Sequence, residues 1–123
     1  MLGNVRTLDL AYTNVVDVSA LSGVHTLNLK GTNITDVSSL GGVHTLDLSF
    51  TNVLDVSMLG RVHTINLSCT EVVDVSALGG VHTLDLSYTK VVDLAALKFV
   101  YNLDVSKDVG KQNLMNFSDV RGV

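Results

Sequence analysis

The chain has 123 residues, 46% of them apolar, and sets 8 Lys+Arg against 12 Asp+Glu for a formal charge of -4. That length allows one domain with apolar matter enough for a continuous core, while the acidic balance excludes an electrostatic pull toward nucleic acid or an anionic membrane surface. A single cysteine, Cys69, excludes an intrachain disulfide, and neither a signal-peptide opening nor a run approaching ~20 apolar residues is found, so a cytoplasmic setting is expected.

One nineteen-residue unit organises the rest. Residues 40–58 read LGGVHTLDLSFTNVLDVSM, and the opening leucine recurs at Leu2, Leu21, Leu59, Leu78 and Leu97. A unit this short cannot bury its own apolar side chains, so the repeats must stack into a solenoid with one shared core. Counting each unit from its valine (Val43 is position one), Leu46 and Leu48 at positions four and six alternate with polar residues, which predicts a strand over 44–48. Val53, Val56, Leu59 and Val62 then follow at intervals of three, which suits polyproline II or a 3₁₀ turn and leaves no room for an α-helix. Asp55 opens that second segment, as do Asp17, Asp36, Asp74 and Asp93, and each carboxylate is placed to cap the turn's free N–H groups.

Stacked in this way, the strands form a six-stranded parallel sheet about 4.8 Å apart, with thin convex segments behind it and little curvature. The expected solenoid covers residues 1–108, five full repeats plus a sixth strand. Beyond it the motif fails after Lys107, and in 109–123 Leu114, Phe117 and Val120 stand three apart, as a capping tail would place them.

The motif V-H-T-L-D-L-S-x-T-x-V-x-D-V-S-x-L resembles a short leucine-rich repeat, with Val43, Leu46, Leu48, Thr51 and Val53 at the matching positions and Thr51 where that family usually has asparagine. The D-V-S-x-L ending resembles that of internalin-type repeats, and the V-H-T-L-[DN]-L-S wording is similar to tandem repeats of large DNA viruses of amoebae. The resemblance implies an interaction scaffold, and a viral protein, rather than any one activity. The alternative architecture is a β-helix, whose usual five- or six-residue repeat the apolar positions do not follow.

In-register stacking turns each position into a column. Position two gives Arg6, His25, His44, His63, His82 and Tyr101. Parallel imidazoles pack on one another more readily than they converge on a metal, so a stacked column is expected and no metal site is assigned. Position five alternates Asp9, Asn28, Asp47, Asn66, Asp85 and Asp104, which spaces the carboxylates and leaves a polar stripe for hydrogen bonding. Position eight gives Tyr12, Gly31, Phe50, Cys69 and Tyr88, a rim with aromatics on alternate coils. Position twelve, Val16, Thr35, Leu54, Val73 and Val92, should face outward on the convex side.

Repetition yields columns, whereas catalysis needs unlike groups converging on one point, so neither an enzyme nor a cofactor is expected. The expected function is protein binding through the sheet face (Arg6, the four histidines, Tyr101, Asp9, Asp47, Asp85) and the rim (Tyr12, Phe50, Tyr88). Contacts special to one coil would come from Arg6, Lys30, Arg61, Glu71, Lys90 and Tyr101, where the copies differ. The alternatives are self-assembly, through an N-terminal edge pairing two copies or through the convex stripe, and metal binding by the histidines.

Overall fold

Each coil re-enters the sheet from the same side after the same connection, so its strand must run parallel to the last. The structure, a computed structural model, describes residues 6–105 and carries this out. The strands β1 (Thr7–Asp9), β2 (Thr26–Asn28), β3 (Thr45–Asp47), β4 (Thr64–Asn66), β5 (Thr83–Asp85) and β6 (Asn102–Asp104) form one sheet in chain order, every pair parallel. The register advances by one repeat per strand, as in Leu27↔Leu46 and Leu46↔Ile65. These strands are shorter than the expected five residues. The ladder nevertheless continues at both ends, where His44 N–H donates to the His25 carbonyl at 2.9 Å and Leu48 N–H to the Asn66 carbonyl at 2.8 Å. Every coil between Arg6 and Val105 contributes one strand to this single sheet, which sets the β-helix aside.

On the opposite side, five 3₁₀ turns stack at Ser19–Leu21, Ser38–Leu40, Ser57–Leu59, Ser76–Leu78 and Ala95–Leu97. The aspartates that open these segments sit one residue further out than true caps. Val18 occupies the cap position and makes no side-chain bond, while Asp17 Oδ1 accepts the Ser19 N–H at 3.0 Å. The same two-residue reach links Asp36 to Ser38, Asp55 to Ser57, Asp74 to Ser76 and Asp93 to Ala95. Each is an Asx turn, and it satisfies the first N–H of the 3₁₀ turn as a cap would.

Between sheet and turns lies the core. Positions one, four, six, eleven, fourteen and seventeen all point inward; Val43, Leu46, Leu48, Val53, Val56 and Leu59 of the third coil are each at most 1% exposed. Leu8, Leu10 and Val15 of the first coil are only partly buried, because among the described residues a neighbour covers one side of them alone. Packing between coils is close at Gly41, where a Cβ would stand 2.7 Å from the Met58 carbonyl oxygen of the next coil, although the same position is Ser22 one coil earlier. The capping tail at 109–123 and the boundary at 108 lie outside the described residues.

Candidate functional site

The sheet's outer face is built of columns, and its register decides what each column does. At position two, His25, His44, His63 and His82 stack with ring centroids 4.5 Å apart and planes within 13° of parallel, and Tyr101 extends the pile at 4.9 Å from His82. Each imidazole Nδ1 is hydrogen-bonded to the hydroxyl of the next threonine, at 2.9 Å for Thr26 and 2.8 Å for Thr45, Thr64 and Thr83. This bond fixes the ring planes. The stacked column expected from the sequence is therefore present, with Arg6 exposed beyond one end and Tyr101 exposed at the other. Desolvation by its neighbours, and then the charges of His44 and His82, hold the His63 pKa below the usual value of 6.5.

Position five does more than space charges. Asp9, Asn28, Asp47, Asn66 and Asp85 each accept, through Oδ1, the backbone N–H two residues on, at 2.9–3.0 Å. In the Asp47 and Asp85 coils the following serine hydroxyl adds a second bond of 2.6 Å to the same oxygen. Aspartate and asparagine are interchangeable here because both supply that oxygen. These Asx turns end the strands, so Asp9, Asp47 and Asp85 are structural first and offer a partner only their remaining lone pairs.

The turn that follows forces position eight into left-handed backbone: φ is +60° at Tyr12, +59° at Phe50, +59° at Cys69 and +60° at Tyr88, with Gly31 at +70°. Only Gly31 hinted at this in the sequence, and four larger residues in the same column concealed it. All three aromatics are well exposed, Tyr12 at 69%, Phe50 at 55% and Tyr88 at 61%. They do not touch one another as a cluster. The Tyr12 ring lies over Gly31, so closely that a Cβ there would collide with it, and the Lys30 ammonium stands 5.5 Å from the centre of the Phe50 ring.

Next in the chain, threonine stands where leucine-rich repeats usually have asparagine, and it turns inward. Thr32, Thr51, Thr70 and Thr89 are buried, and each hydroxyl donates to the carbonyl three residues back in its own coil at 2.6–2.8 Å. Among the coil-specific residues, Lys90 and Glu71 pair at 3.0 Å with both side chains mostly exposed, a contact that contributes little. On the convex side Val16, Leu54, Val73 and Val92 do face outward, each 55–63% exposed.

Among the described residues no three His, Cys, Asp or Glu side chains gather as metal ligands, and no helix is long and apolar enough to cross a membrane. No family model matches the chain, and no curated protein matches it. Solved structures do. Internalin C2 from Listeria monocytogenes is similar over 86% of this chain and 53% of its own, with a TM-score of 0.71 and 24% identity. The functional domain of InlJ from the same bacterium, which includes a cysteine ladder, matches 85% of this chain and 25% of its own at a TM-score of 0.67 and 24% identity. A leucine-rich-repeat protein of Leptospira interrogans matches 98% and 36% at 0.67 and 18%. The chain thus spans about half or less of the length of these proteins. Its fold is the leucine-rich-repeat solenoid. With Cys69 alone, no counterpart of a cysteine ladder can form.

Proposed function

We propose that this chain is a non-catalytic protein-binding scaffold that engages its partner with the sheet face and the rim formed by Tyr12, Phe50 and Tyr88. The observation that carries the reading is the strain at the rim. Left-handed backbone costs a bulky residue about 1–2 kcal/mol, which glycine avoids. Three aromatics accept that cost while more than half of each side chain stays in water. Stability alone gives little return for such residues, whereas exposed aromatics anchor protein interfaces. The histidine column and Tyr101 lie on the same outer face and offer a row of ring edges to the same partner.

The test uses the whole chain as bait against proteins of its source, followed by affinity measurement on the partner recovered. Replacing Tyr12, Phe50 and Tyr88 together by glycine should weaken binding about 30-fold or more, the loss of at least one hot spot, while the fold persists. A triple variant that binds as the parent does removes the proposal. A cytoplasmic setting in an infected host or virion belongs to the same reading, resting on the V-H-T-L-[DN]-L-S wording.

Self-assembly is the second reading, and the exposed convex residues Val16, Leu54, Val73 and Val92 support it. Mass in solution over a concentration range separates the two, since a monomer at every concentration speaks against assembly.

A further inference from the structure

Among the described residues, clefts between successive coils are lined by aspartate pairs: Asp17 and Asp36, Asp36 and Asp55, Asp55 and Asp74, Asp74 and Asp93. Another cleft, of ≈ 470 Å³, is lined by Ser38, Gly41, Gly42, Val43, His44, Met58, Arg61 and His63. In an acidic chain it holds a guanidinium, two imidazoles and no carboxylate.

Arg61 is the departure that creates it. The same position is glycine at Gly23, Gly42 and Gly80 and an exposed phenylalanine at Phe99, so glycine satisfies both the turn and the packing there and neither calls for the guanidinium of Arg61. Arg61 is exposed and has no carboxylate partner among the described residues. The two rings beside it are 4.5 Å apart and 10° from parallel, so they present like edges side by side. Each has Nδ1 engaged by its threonine hydroxyl at 2.8 Å, while Nε2 makes no hydrogen bond among the described residues. Gly41 and Gly42 add no side chain to obstruct the floor. Ser38 gives no donor, because its hydroxyl is committed to Asp36, which with Asp55 lines the adjoining cleft that shares Ser38 and Met58 with this one.

We infer that this cleft is an oxyanion site, with Arg61 holding two oxygens of a phosphate-type group and Nε2 of His44 and His63 donating to it. A planar guanidinium matches two oxygens of a phosphate in a fork, and adjacent imidazoles become donors on both nitrogens when protonated. The bound anion would offset the repulsion between neighbouring imidazolium ions, including that from His82 on the far side of His63. Binding therefore tightens as pH falls through the histidine range. The site is independent of the rim and stands whether or not the aromatics bind a protein.

Nuclear magnetic resonance on the labelled whole chain tests this with inorganic phosphate at constant ionic strength and pH 6.5. The expected result is saturable shifts of the Arg61 Nε–H and of the His44 and His63 rings, larger than those of His25 and His82, and a raised titration midpoint for His63. Arg61→Gly restores the residue found in other coils, so the fold should hold while affinity drops at least tenfold; Arg61→Lys should keep part of it. A phosphoserine peptide binding tenfold tighter than phosphate, with its unphosphorylated form silent, would place the natural anion on a polypeptide. Equal affinity for peptide and phosphate would indicate a free anion, and both results uphold the site. Shifts that rise linearly with phosphate, or that survive Arg61→Gly unchanged, mean an adventitious ion only and overturn it.

Discussion

Replacing Thr51 by valine exchanges a hydroxyl for a methyl of nearly the same shape and isolates one hydrogen bond. The Thr51 hydroxyl donates to the Leu48 carbonyl at 2.6 Å, in a position only 4% exposed. Such a bond is worth about 0.5–1.5 kcal/mol net, but depriving a buried carbonyl of its donor raises the cost to about 1–3 kcal/mol. The new methyl returns at most about 0.8 kcal/mol through burial. The expected loss is thus about 1–2 kcal/mol, and each kcal/mol lowers the melting temperature by about 4–8 °C in a domain of this size. Thr13 supplies the internal control. Its hydroxyl makes the same bond to Leu10 at 2.6 Å but lies in the open first coil, where water can replace it. Thr13→Val should therefore cost less than about 0.5 kcal/mol. Urea unfolding of both variants and of Thr51→Ser, which keeps the hydroxyl, decides the matter. If Thr51→Val is as stable as the parent, or Thr13→Val loses as much as Thr51→Val, the hydroxyl column does not hold the turns and the reasoning fails.

Phe50→Gly removes strain of about 1–2 kcal/mol along with a ring that is 55% exposed, whose partial burial contributes only about 1 kcal/mol. Thermal melting should show a net loss below about 2 kcal/mol, against the 3–5 expected for a fully buried phenylalanine; a loss in the upper range would make the ring structural. Gly41→Ala pushes a methyl against the Met58 carbonyl and should cost about 1–3 kcal/mol by the same assay, with an unchanged midpoint counting against the close packing of the coils. Acid should act in two stages. The fold disfavours charged His63, so the unfolded chain takes up protons first, near 6.5, and stability complete above that value is lost as pH falls through the lower folded pKa. Asp17, Asp36, Asp55 and Asp74 are also held low, by bonds from the serine N–H and hydroxyl two residues on, and their contribution disappears below 3.8. Melting temperature measured from pH 8 to pH 3 should step down twice; a flat line between pH 8 and pH 5 contradicts the first stage.

The alternation of Leu46 and Leu48, followed by spacing of three from Val53 to Val62, was enough to place sheet, turn and core, because inward-facing residues must keep the period of their element. Identity at position two made the stacked imidazoles legible as well, since in-register parallel pairing leaves equal side chains no other neighbours. What stayed hidden was local backbone geometry. Asp47 reads as a surface charge in sequence, yet its reach to the Ser49 N–H depends on how the strand ends. Tyr12 and Phe50 disguise a left-handed turn that glycine would have advertised. Arg61 drew notice as a difference between copies, but its place beside His44 and His63 required the coils to be stacked.

Gly31 lies beneath the Tyr12 ring, and from there large and small residues take turns along the rim: Gly31, Phe50, Cys69, Tyr88. Excising one unit, residues 24–42, would leave every core file unbroken but would bring Phe50 against the ring that Gly31 now accommodates. Excising two adjacent units would preserve the large-small rhythm. The module that can be removed without a clash at the rim is therefore the pair rather than the single coil. Single-unit and double-unit excisions compared by thermal melting would expose the difference, and equal behaviour would return the single coil to that role.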